Sequence, residues 1–415
     1  MNLSLSKIQF NAEFINRWFL IAASISVTGI FFSRAMISIG MIGIVLLYFI
    51  SKGWKKPFNY SSKDITLFFL APIFILYIIG GLWTYDFPYW TDRVQVKIPL
   101  LLVPFGFWAV NEIITRKTID LVLCLFLFLS FATALGSFIY YLFHYAEITE
   151  SYKSAKTIPT IIGHIRYSLM LGLAFFVSIQ LYLSSSITNN GFEKKVIAGM
   201  GIFIFIFLHI LSVRSGLLAV YATAIVWLLI LIVKKRDKRF LLILPVIVLF
   251  PVVMYLFVPS MRNKVDYMTM DINRFISGKS VNNYSDGNRL LSMKIGTELG
   301  LKHPFIGVGS GDVQKEMGSV YQQQYPDIDQ KNWLIPHNQF VYIFTALGFT
   351  GIFIFLICLI YPVLQKEVMD NILCVAFLVS TYTSFLSEAT LELQQGVALI
   401  SLFFSLAYSR RIALS

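Results

Sequence analysis

The stretch LIPHNQFVYIFTALGFTGIFIFL, Leu334 to Leu356, is apolar over nearly the length of a membrane helix, yet it opens on Pro336, His337 and Asn338. A helix needs about 20 apolar residues to cross the hydrocarbon core of a bilayer, so an imidazole and an amide here stand where a span meets water. Comparable runs recur along all 415 residues. The chain is 57% hydrophobic and 13% charged, whereas a soluble domain carries about 25% charged residues. These features predict an all-α, polytopic helical membrane protein.

Twelve helices are predicted, near 19–33, 35–51, 65–83, 94–110, 119–142, 161–185, 196–212, 214–233, 240–258, 337–364, 369–386 and 391–409. Residues 1–18 hold no small-x-small cleavage site, so the first run is read as uncleaved. With the N-terminus in the cytoplasm, the cytoplasmic segments collect eighteen lysines and arginines, among them Lys7, Lys52, Lys63, Lys234, Arg239, Lys366 and Arg410. The opposite side, its long loop aside, holds seven: Arg34, Arg93, Lys97, Lys153, Lys156, Arg166 and Arg214. That asymmetry fits a positive-inside orientation with both termini cytoplasmic. Much of the net charge of +12 is then topological anchoring beside membrane lipids. No basic, aromatic-rich soluble module is present, which argues against nucleic acid as a partner.

The chain divides into helices one to nine (1–258), a 78-residue extracytoplasmic loop (259–336) and helices ten to twelve (337–415). A loop that long is usually functional or disordered. Within it RLLSMKIGTELGLKHP, Arg289 to Pro304, places Leu290, Leu291, Ile295 and Leu299 on a helical period, with Gly300 and Pro304 ending it. A tight turn, GVGSG at Gly307–Gly311, follows. The loop is expected to fold as a small helical lid. Cys124, Cys358 and Cys374 all lie in apolar runs, where packing explains them.

Polar residues gather at one depth, the outer ends of the spans. His164 and Arg166 open one helix, His209 closes another, and Arg214 opens the next. Arg93 and Lys97 precede the fourth, Glu388 and Glu392 join the last two, and His337 opens the tenth. Ionisable groups beside membrane spans are costly and therefore functional candidates. A transporter would place such groups near the midplane, which is almost bare here. A site opening to the outer surface is favoured.

Arg214 stands at a helix N-terminus, where free N–H groups and the dipole favour an anion. Its planar fork suits phosphate oxygens. Arg166 and Arg289 are expected to converge on the same place, and Lys97 and Arg93 are weaker candidates on the same grounds. Each also has an ordinary reading as a headgroup contact or a structural ion pair. His337, placed in the first turn of its helix, should stay neutral and able to accept a proton. Asn338 either caps that helix or orients the ring. His209 is a lesser candidate, and Glu388 and Glu392 are alternative acids or bases, with capping or ion pairing as the plainer account.

The residues from His337 onward resemble the signature of the bacterial O-antigen ligase family: His337-Asn338, nine residues, Gly348, two residues, Gly351. LSVRSGLLAVYATAIVWLL, from Leu211, is similar to the helix preceding that family's long loop. NRLLSMKIGTELGLKHPFIGVGSGDV, from Asn288, is similar to its loop segment. Ile352 and Phe353 stand where the family pattern often continues with two threonines. The resemblance implies a GT-C-like, metal-independent, inverting glycosyltransferase of the bacterial inner membrane with a periplasmic active site. The donor it implies is glycan on undecaprenyl diphosphate, and the acceptor is lipid A–core oligosaccharide. By matching motifs, Arg214 and Arg289 would hold the diphosphate and His337 would activate the acceptor hydroxyl. A polymerase using the same donor is the nearest alternative, and a lipid-linked glycan flippase is one of another class. Gly348 and Gly351, one turn apart, are read as a surface for close packing against a neighbouring helix.

Other motifs carry less. Asp327-Ile328-Asp329 matches a nucleotide-sugar motif without its structural context, and GVGSG follows no Rossmann strand. Asn283-Tyr284-Ser285 fits a glycosylation sequon. His144, His164, His209 and His303 lack metal-ligand spacing. Neither a metal nor a cofactor is expected.

Overall fold

The computed structural model describes residues 12–58, 62–152, 157–187, 190–236 and 238–412. Of the charges counted above, Lys7, Lys153 and Lys156 lie outside the described residues, as do the side chains of Lys63, Arg239 and Arg410. The principal elements are α1 (Ala12–Phe32), α2 (Arg34–Ile50), α3 (Ala71–Ile79), α4 (Phe87–Lys97), α5 (Pro99–Val110), α6 (Arg116–Phe143), α7 (His164–Ser184), α8 (Gly191–Leu211) and α9 (Arg214–Lys235). They continue with α10 (Leu244–Phe257), α11 (Pro259–Ile276), α12 (Ser285–Lys302), α13 (Val313–Gln324), α14 (Gln339–Val363), α15 (Ile372–Ser387) and α16 (Gln394–Ile412). Every element named here is helical, and the protein is a polytopic helical membrane protein.

Each predicted apolar run corresponds to a helix or a pair of helices, but the expectation of twelve spans is not carried by length. Among the described residues, seven helices are long and apolar enough to cross a bilayer: α1, α4 with α5, α6, α7, α8, α9 and α14. The pair Leu241–Phe257 and Pro259–Ile276, bent by 93°, makes an eighth if it forms one span. Arg34–Ile50, Ala71–Trp83 and Ile372–Ser387 are apolar but shorter. The third run fails as a single helix because Pro72, just inside α3, cannot continue a helix from the preceding turn.

Contacts join helix ends at two opposite faces of the bundle. Lys234 pairs with Asp370, joining two segments assigned to one side. Gln394 bonds the Arg34 carbonyl and Ser38 at the other end. The segment 259–336 is largely helical and lies over that second end. α11 turns away from α10 at Pro259, and α12 packs along α14. Residues Ser292 and Gly296 give α12 a narrow face, since a Cβ at Gly296 would fall 2.6 Å from Pro336 and 2.9 Å from Thr345 Oγ1. Thr345 instead donates to the Gly296 carbonyl at 2.8 Å.

α14 departs from its expected form. It is broken at Gly348, where φ is 62° and ψ is −158°. In a continuous helix the N–H groups of Phe349 and Thr350 would bond the carbonyls of Thr345 and Ala346. Here Phe349 and Thr350 donate to Pro304 and Phe305 at 2.7 and 3.3 Å, and Thr345 and Ala346 accept from Val308 and Gly309 at 2.9 and 3.0 Å. The GVGSG turn thus fills the break. The same turn and the residue after it are tied behind to α3 and the segment that follows it: Ser310 donates to the Tyr77 carbonyl, and Asp312 accepts from Tyr85 and Asp86, both at 2.8 Å. The neighbour that Gly348 admits is this loop backbone rather than another helix.

Candidate functional site

Three helix N-termini point into one cavity, and none is capped by its own N-cap side chain: α7 at His164, α9 at Arg214 and α12 at Ser285. The dipoles of all three, with the N–H groups of α7 and α9, make the surroundings electropositive. α7 and α9 meet closely at this end because residue 216 is glycine. A Cβ there would stand 2.6 Å from the Ser168 carbonyl. The cavity, of about 510 Å³, is lined by His164, Arg214, Lys264, Asp286, Arg289 and His337, with Leu218, Met293 and Leu386 among its apolar walls.

Arg214 pairs with Oδ1 of Asp286, and Arg289 reaches the same oxygen at 3.5 Å. Asp286 and Gly287 in turn donate their N–H groups to Asp271 at 2.7 and 2.9 Å, so a carboxylate of α11 caps α12. Burial lowers the pKa of Arg289, with the charge of Asp286 opposing it.

His337 does not lie in the first turn of α14. Asn338 is the N-cap, accepting from Phe340 and Val341 at 2.9 and 3.2 Å, so His337 stands one residue before the helix. Its backbone N–H donates to Ser292 Oγ at 3.2 Å, and that hydroxyl donates to the Arg289 carbonyl at 2.7 Å. One turn of α12 therefore sets the imidazole relative to Arg289. Nδ1 of the ring is buried without a hydrogen-bond partner. Burial, then the charge of Arg289, pushes the imidazole pKa down to about 4, against a smaller opposing contribution from the Ser387 backbone. Burial and a neighbouring arginine thus favour the neutral ring that the sequence reading ascribed to a helix N-terminus.

The remaining sequence candidates lie elsewhere. Arg166 is outside the cavity wall, paired with Glu388 at 3.6 Å and bonded to Gln395, although its charge also acts on His337. Burial raises the pKa of Glu388, with Arg166 and Arg289 opposing. Lys97 is fully buried against Glu392 at 2.7 Å, and Arg93 donates to the Glu392 carbonyl at 2.9 Å. Both belong to a separate buried cluster. His209 is engaged by the Phe205 carbonyl and the Tyr221 hydroxyl at 2.8 and 2.6 Å. Asn338 serves α14 as its cap.

Lys264 and Asp286 line the cavity without having been singled out for it from the sequence, and His164, noted there as a polar residue at the outer end of its helix, lines it as well. The one available signal was Asp286 standing three residues before Arg289, where a helix brings the two side chains together. Among the described residues no three His, Cys, Asp or Glu side chains stand close enough to hold a metal ion.

No curated protein matches the chain. The stretch from late α8 through α9 to α13 and into α14 carries Arg214, Asp286, Arg289 and His337. That stretch, residues 199–356, matches the model of the family described as O-antigen ligase.

Proposed function

We propose that this cavity is the active site of an O-antigen ligase. The enzyme transfers glycan from undecaprenyl diphosphate to lipid A–core oligosaccharide at the periplasmic face of the inner membrane, with inversion and without a metal. The observation that carries the reading is the meeting of Arg214, Arg289 and His337, from three separate segments, around one cavity. The two guanidinium groups and the α9 N-terminus would bind the diphosphate. An acceptor hydroxyl oxygen attacks the anomeric carbon while the bond from that carbon to the phosphate oxygen breaks. The leaving electron pair stays on the diphosphate, where the arginines stabilise it. The hydroxyl proton passes to the unprotonated nitrogen of His337.

Deleting the gene separates this from its rivals. A ligase loss removes the whole lipopolysaccharide ladder while long glycans accumulate on the lipid carrier. A polymerase loss leaves a single-repeat band, and a flippase loss leaves glycan on the cytoplasmic leaflet. For the purified protein, His337→Ala should slow transfer by about 10²–10⁴ and still bind donor. Full activity in that variant rejects the base assignment, and abolition of wild-type transfer by a chelator rejects the metal-free mechanism.

A further inference from the structure

The cavity contains a group that an anion site does not need. Asp286 sits between the two arginines, 7% exposed, with Oδ1 against both and Oδ2 buried without a hydrogen-bond partner. Asp271 fixes its backbone. Its charge is therefore held in place and little screened by water. The charged residues of the cavity wall are Arg214, Lys264, Arg289 and Asp286, a net of two positive charges where three would bind a phosphate more tightly.

The transfer reaction gives that carboxylate a use, on the reading of the preceding subsection. The donor diphosphate is esterified at both ends and carries one negative charge per phosphate. Transfer frees one end, and a terminal phosphate with its second pKa near about 6 carries roughly −1.5 to −2 at pH 7. The released lipid diphosphate is thus more negative than the donor it came from. A purely cationic pocket would hold product more tightly than substrate. Repulsion from one fixed carboxylate grows with ligand charge and so weakens product more than donor.

We propose that Asp286 is a specificity-determining residue: its fixed charge lowers the site's affinity for the released lipid diphosphate relative to the glycan-bearing donor, while Oδ1 holds the two arginines in position. Asp286→Asn separates these roles, since the amide keeps an acceptor oxygen and loses the charge.

The test uses full-length protein in nanodiscs, with undecaprenyl diphosphate and the glycan-bearing donor as separate probes. Asp286→Asn should bind undecaprenyl diphosphate about tenfold tighter or more, a change set by the affinity scale, and gain distinctly less for donor. Product inhibition should deepen in parallel. The gain for product should shrink from pH 8 to pH 5.5 as its terminal phosphate protonates, which a merely structural role would not produce. Asp286→Glu should keep wild-type selectivity. Asp286→Ser, smaller and neutral, gives the same readout should the amide variant not fold. Equal gains for donor and product, or no gain for product, overturn the proposal. Failure of the underlying reading looks different, because wild-type protein would then bind neither probe, or would bind the donor without transferring its glycan to lipid A–core.

Discussion

His337 combines two features that pull against each other. A base must be unprotonated at working pH, and burial beside Arg289 achieves that by pushing the imidazole to about 4. The same environment makes the ring a weak proton acceptor while the cavity is empty. A bound diphosphate would cancel much of the Arg289 charge, which removes one cause of the depression. The expected outcome is a His337 resonance in detergent-solubilised protein that titrates near pH 4 without ligand and moves upward with undecaprenyl diphosphate. An unchanged titration on binding would show that the anion sits away from Arg289. The linkage has a definite sign. A histidine depressed in the fold contributes stability above its unfolded pKa of about 6.5. That stability is lost as pH falls from there through about 4. His337, Arg214 and Arg289 were legible in the sequence because each begins a helix or marks a motif. Lys264 was not, and His164 was legible only as a polar residue at a helix end. Lys264 reaches the cavity from α11, and no residue spacing encodes the 93° turn between α10 and α11.

At the scale of the element, α14 shows how a hydropathy pattern hides a break. Residues 340–356 read as one apolar helix, and a single glycine within it looks like a mild defect. The backbone at Gly348, φ 62° and ψ −158°, falls in a region that only glycine populates readily. A Cβ there would also stand 2.5 Å from the Phe305 carbonyl carbon. Broken backbone within an apolar helix persists only where protein supplies the lost hydrogen bonds, and here the 304–309 segment supplies them. Gly348→Ala should therefore release that loop as well as strain α14. A loss of about 3 kcal/mol or more is expected, from backbone strain together with overpacking. Gly136→Ala, where a Cβ would meet nothing within 4 Å, is the control. Thermal unfolding in detergent with limited proteolysis of residues 303–312 checks both. A Gly348→Ala protein as stable as the Gly136→Ala control, with an equally protected loop, would mean that α14 can straighten. The two-residue spacing between Gly348 and Gly351 was legible as a motif, but its reason was not, because it lies in a loop some forty residues earlier in the chain.

Across the whole molecule, the N-terminal helices reach the site through buried charge. Lys97 and Glu392 are 0% and 1% exposed at the side chain, with Tyr77 donating to Glu392 at 2.6 Å and Lys97 standing 4.0 Å over the Tyr77 ring. The next residue back, Leu391, donates its N–H to Gln339 Oε1 at 2.7 Å, in the first turn of α14. The Asn338 side chain bonds the Leu386 carbonyl at 3.1 Å. One chain of contacts thus runs from α3 and α4 through the turn at 388–392 to the residues beside His337. Lys97 and Arg93 drew notice in the sequence as charges beside a membrane span, and that signal could not separate a substrate contact from an internal tie. Breaking such a pair leaves a buried charge without its partner and typically costs about 3–5 kcal/mol, whereas replacing both partners with groups of similar size is often neutral. Lys97→Met alone should accordingly lower the melting temperature strongly and reduce transfer by displacing the 388–392 turn. Lys97→Met combined with Glu392→Gln should recover most of the stability, because no uncompensated charge remains. Melting temperatures of the two single variants and the double variant close the cycle. If the double variant loses the sum of the two single losses, the residues do not act as a pair, and the tie between the N-terminal helices and the site must run through other contacts.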